Sequence, residues 1–117
     1  MKEEKFKVID FIRKLILIVD KELENFPKKE LEIKNRMRTS TYDLLEIAYE
    51  ANSSKNIEYK EKLLNKMIAK VKIIDFLVNF SYDKKLITNK KYLKIATRLD
   101  DIAKYTNGWM KSLCGQG

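Results

Sequence analysis

The chain has 117 residues, no histidine, one cysteine and a formal net charge of +8. That length suits one domain around one core, and a composition 44% hydrophobic and 36% charged excludes both a disordered chain and a membrane-embedded one. Without histidine there is no Ser-His-Asp triad, no Cys-His pair and no Glu-x-x-His di-iron motif, so the sequence reads as no enzyme, with no cofactor.

The charge is uneven. Residues 1–26 hold six basic and six acidic side chains and sum to zero, residues 27–56 to +1, residues 57–87 to +3 and residues 88–117 to +4. Three glycines and one proline are few for this length, and no strand-type alternation occurs. Long helices joined by short loops are the expectation.

The first helix is predicted from about Lys5 to Asn25. Phe6, Ile9, Ile12, Leu15, Ile16, Val19 and Leu23 recur at three- and four-residue spacing, which is one helical face. The longest apolar run, Leu15 to Val19, is far below the ~20 residues that span a bilayer. Asp10 and Arg13 interrupt what a signal peptide would keep apolar, and the lone Cys114 fits a reducing, cytoplasmic setting. Asn25-Phe26-Pro27 closes the helix, because proline is tolerated only in a first helical turn.

Helix two is predicted over 28–51, with Leu31, Met37, Leu44, Leu45, Ala48 and Tyr49 on its apolar face. The polar stretch 52–56 is a loop that offers Asn56 as an N-cap. Helix three covers 57–84 through Leu63, Leu64, Met67, Ile68, Val71, Ile74 and Val78. Thr88 is placed to cap helix four, predicted over 89–106 or beyond, through Tyr92, Ile95, Ala96, Leu99, Ile102, Ala103 and Met110. Asn107-Gly108 ends or bends that helix before Trp109. Short loops make neighbours antiparallel. The fold class is therefore all-α, a single up-down-up-down four-helix bundle over residues 1–117.

Two helices carry more apolar surface than one bundle buries. Leu17 and Ile18 widen the stripe of helix one, and Ile73, Phe76, Leu77 and Phe80 fall opposite the main stripe of helix three at ~100° per residue. A helix apolar on two sides must bury both. These six residues are the expected interface of a homo-oligomer.

Candidate chemistry is sparse. Asp43, Glu46 and Glu50 share a face of helix two, but such a stripe is far more often solvated, or paired with lysines, than a Mg²⁺ site. The basic residues are more informative. Lys62, Lys66 and Lys70 form a row on helix three, and Lys91, Lys94 and Arg98 another on helix four. The densest cluster is Lys84, Lys85, Lys90 and Lys91. Lysines in an opening helical turn oppose the macrodipole, and a bound anion would relieve that. In an up-down bundle the helix 1–2 and 3–4 corners share one end, so Lys28 and Lys29 should approach the same cluster. The candidate polyanion surface is thus Lys28, Lys29, Lys84, Lys85, Lys90, Lys91, Lys94 and Arg98. Such a surface binds phosphates with little base specificity. Tyr82, Tyr92 and Tyr105 could stack on bases, although tyrosines at helical spacing more often edge a core.

Asn25-Phe26-Pro27-Lys28-Lys29-Glu30, followed by Ile33-Lys34-Asn35-Arg36-Met37, resembles the helix 1–2 junction of the accessory variability determinant (Avd) family of diversity-generating retroelements. Lys90-Lys91-Tyr92-Leu93 and Gly108-Trp109-Met110-Lys111-Ser112 resemble that family's last helix, with Asn107-Gly108 a departure from its smaller or glycine-rich residues before the tryptophan. The resemblance implies a four-helix bundle assembled as a basic homopentameric ring. It implies binding to a reverse transcriptase and to template RNA or its DNA copy, with no chemistry of its own. Two rivals stand beside it. One is a stand-alone bundle of the related family encoded in 23S ribosomal RNA intervening sequences, which has a similar Phe-Pro junction. The other is a structural protein–protein adaptor.

Overall fold

Apolar residues at three- and four-residue spacing fold into four α-helices in the computed structural model, which describes residues 2–114, with side chains from residue 5. They are α1 (Lys2–Leu23), α2 (Leu31–Ser53), α3 (Ile57–Asp83) and α4 (Asn89–Cys114), with one 3₁₀ turn over Lys28–Glu30. Among the described residues the backbone of each helix runs close beside two neighbours and not beside the helix diagonal to it. The helices thus stand in a square, with the α1–α4 seam on the side opposite the α2–α3 seam. The bundle measures 49 × 23 × 18 Å.

One core runs through the square. Val8, Ile12, Leu15, Val19 and Leu23 of α1 meet Met37, Leu44 and Ala48 of α2, Leu64, Met67, Ile74 and Val78 of α3, and Ile95, Leu99 and Ile102 of α4. Each of these Val, Leu, Ile and Met side chains contributes about 1.5–3 kcal/mol relative to exposure. No helix of the described chain is long and apolar enough to cross a membrane.

The boundaries follow local chemistry. Asn56 Oδ1 accepts the Tyr59 amide at 2.9 Å and starts α3. Thr88 Oγ1 accepts the Lys91 amide at 3.2 Å and starts α4. Helix two begins later than the sequence predicts. Pro27 is extended, Lys28–Glu30 winds as a 3₁₀ turn, and Glu30 sits at φ −100°, ψ 26°, outside the helical region. Helix four, in contrast, continues through Asn107-Gly108 to Cys114. A mid-helix glycine costs about 1 kcal/mol, but continuing the helix buries Trp109 and Leu113 in the core, which offsets it.

Candidate functional site

The bundle end that carries the α1–α2 and α3–α4 corners is built by two different turns. After α1, the Phe26 amide donates to the Leu23 carbonyl at 3.1 Å and the Phe26 side chain is buried. After α3, the Lys85 amide donates to Tyr82 O and the Leu86 amide to Ser81 O, both at 2.9 Å. That pair of bonds is a Schellman motif, and it places Lys85 in the left-handed region at φ 63°. Ile87 is buried behind the turn.

The two corners do meet. Lys84 Nζ lies 2.8 Å from Glu30 Oε1, and Lys91 Nζ lies 3.5 Å from Glu22 Oε2. Glu30 is only 8% exposed. The cations of one corner are therefore drawn in by carboxylates of the other, and Lys84 and Lys91 are partly neutralised. Lys28, Lys29, Lys85 and Lys90 are exposed, and no ion pair among the described residues holds them. The sequence reading missed Glu22 and Glu30; their only signal was their place beside the lysine corners.

Lys94 is exposed, and with Lys90, Leu93, Thr97 and Arg98 it lines an open hollow of about 400 Å³ along α4. Lys91 does not join this row, because it turns toward Glu22 of α1. Arg98 is less free than Lys94: its guanidinium is 5.0 Å from the Phe11 ring centroid and 3.9 Å from Asp101.

The tyrosines hold tertiary contacts. Tyr82 and Tyr92 stack across α3 and α4 with ring centroids 4.6 Å apart. The Tyr92 hydroxyl donates to Asn79 Oδ1 at 2.6 Å and that of Tyr82 to Asn89 Oδ1 at 3.2 Å. Tyr105 packs on Phe11. The acidic stripe of α2 is also engaged: Asp43 pairs with Lys70 at 3.1 Å, and Glu50 accepts a hydrogen bond from Tyr59. That bond pushes the Tyr59 phenol above its usual value of 10.0, helped by desolvation and the Glu50 charge.

The six apolar residues singled out from sequence divide. Ile73, Phe76 and Phe80 are exposed, Phe76 by 62%, and the two phenyl rings stack at 5.9 Å. Phe76 and Phe80 border an open α2–α3 groove of about 750 Å³, whose rim includes Ile33, Arg36 and Lys84. Leu77 is a correction. It is only 9% exposed and belongs to the core, because its position is ~60° from Ile74 rather than opposite it. Ile18 is a second correction: it is half-buried against the core. Leu17 is 72% exposed, and its helical position sets it among Asp10, Arg13, Lys14 and Lys21 rather than in an apolar patch.

These features define a class: an all-helical four-helix bundle with a lysine-rich end and, adjoining it, an exposed aromatic patch. A sequence profile described as bAvd-like matches residues 3–113. The chain belongs to the bAvd-like family, and is an Avd-type accessory protein. No curated protein matches it.

Proposed function

We propose that this chain is a non-catalytic, basic accessory protein of a diversity-generating retroelement, which binds a reverse transcriptase and nucleic acid and works as a homo-oligomer, a pentameric ring. The observation that carries the reading is the bAvd-like match across residues 3–113. Two features of the molecule support it. Lys28, Lys29, Lys85 and Lys90 leave one end of the bundle with exposed positive charge, suited to phosphates irrespective of base sequence. Ile73, Phe76 and Phe80 leave an exposed apolar row, suited to burial against another copy. In a ring the basic ends of the protomers would add together.

The test is co-expression with the reverse transcriptase of a diversity-generating retroelement. The accessory protein should co-purify with the polymerase, bind RNA at low salt, and show by light scattering a mass five times that of the 13.9 kDa chain. Failure to retain the polymerase would remove the retroelement role. A monomer at micromolar concentration would remove the ring.

A further inference from the structure

A basic row on α1 is concealed by the zero net charge of residues 1–26. Lys7, Lys14 and Lys21 recur at seven-residue spacing, so they drift only ~20° per step and share one flank of the helix. Lys7 fixes which flank, because its ammonium lies 5.0 Å from the ring centroid of Tyr105 on α4. The row therefore runs beside the α1–α4 seam. On the other bank, Lys90, Lys94 and Arg98 follow at four-residue spacing along the open hollow of α4. Arg98 leans over the seam onto Phe11 of α1.

Two acids of α1 are held by cations of other helices. Asp20 turns to Arg38 of α2 at 3.3 Å, and Glu22, in the seam itself, is neutralised by Lys91 of α4 at 3.5 Å. Asp10 and Asp101 lie beside Lys14 at 2.9 Å and Arg98 at 3.9 Å. The Lys14–Asp10 side chains are 53% and 59% exposed, and a pair so exposed yields readily to a competing anion. From Lys7 to Lys21 the row is ~21 Å long at 1.5 Å per residue.

We infer that the α1–α4 seam is a second nucleic-acid-binding surface, a track on which a phosphate backbone lies along the bundle axis between the α1 and α4 rows. The inference rests on the nucleic-acid reading above and extends it from one end of the bundle to its length. Phe11 and Tyr105 lie half-buried on each other beneath Arg98 and Lys7, so they position cations rather than stack bases, and recognition is by phosphate. The seam lies opposite the α2–α3 groove in the square of helices. Assembly through Phe76 and Phe80 would leave it open.

The experiment compares the binding of a fluorescent mixed-sequence 20-nucleotide RNA by the full chain and by a Lys7→Gln, Lys14→Gln, Lys21→Gln variant across a salt series, with helicity and melting checked for both. The variant should bind about tenfold or more weakly, and its log–log salt slope should be shallower by about 0.7 for each phosphate it no longer neutralises. Unchanged affinity and slope in the variant, while the full chain binds, would overturn the seam and leave the nucleic-acid reading standing. No salt-dependent binding by the full chain would overturn both. Polyglutamate of equal charge should bind more weakly than the RNA; equal or tighter binding would mark the seam as a site for an acidic protein and overturn the choice of nucleic acid.

Discussion

Glu30 Oε1 and Lys84 Nζ lie 2.8 Å apart and join the corner after α1 to the corner after α3 across 54 residues of chain. The Glu30 side chain is nearly buried while that of Lys84 is about one-third exposed, its ammonium over the Phe80 ring, 5.2 Å from the centroid. Removing one partner leaves the other without compensation. Lys84→Met, which strands Glu30, should lower unfolding free energy by about 1–3 kcal/mol, whereas Glu30→Gln should cost less, because Lys84 retains solvent. Urea denaturation of both single variants and of the double variant checks this; a coupling energy of zero would mean that the bond does not hold the corner.

Lys85 occupies a left-handed position that glycine takes without steric cost. Lys85→Gly is expected to stabilise the bundle by about 0.5–1 kcal/mol, and Lys85→Gln to leave stability unchanged while removing the charge. Thermal melts separate the backbone effect from the electrostatic one.

Thr106 is fully buried and its hydroxyl has no hydrogen-bond partner among the described residues. Thr106→Val keeps the shape and removes the desolvated oxygen. A gain of about 1 kcal/mol in unfolding free energy is expected, measured by urea denaturation.

The exposed and buried members of the α3 apolar set should behave oppositely. Phe76→Asp should reduce the mass of the assembly with little effect on helicity, since its ring is largely in solvent in the protomer. Leu77→Ala should instead cost about 2–4 kcal/mol of stability. Leu17→Asp should change neither. Light scattering and denaturation on the three variants decide the assignment.

Tyr59 should ionise later than an ordinary tyrosine, because its phenol donates to the Glu50 carboxylate. The folded state favours the protonated form. The associated stability is therefore complete below pH 10 and lost as pH rises through the folded value. A difference titration of phenolate absorbance between the wild type and Tyr59→Phe isolates this group.

The helices were legible because their apolar spacing is regular and their caps, Asn56 and Thr88, use side-chain oxygens that the sequence displays. The start of α2 was less so: the 3₁₀ turn after Pro27 depends on Glu30 being pulled into the corner, a contact with the end of α3, 54 residues away in sequence. The meeting of the two lysine corners follows from topology, but its form does not. Segment charges count Glu22 and Glu30 without saying which lysines they reach. The same sum hid the α1 row, because a segment with equal acids and bases, as residues 1–26 have, is neutral throughout only if they share a face. Leu77 shows the converse error. Taken as opposite to the core stripe, it sits at the stripe's edge, where the packing of α2 on α3 covers it.

The nucleic-acid reading is tested most directly by RNA affinity measured across a salt series for the wild type and for a variant with Lys28, Lys29, Lys85 and Lys90 replaced by glutamine. The account predicts a linear fall of log affinity with log salt for the wild type. It predicts a variant that binds more weakly, unfolds no sooner, and has a slope shallower by roughly 0.7–0.9 for each phosphate left without its lysine. A flat salt response in the wild type, or a variant indistinguishable from it in affinity and slope, would contradict the assignment of this end of the bundle to phosphate binding.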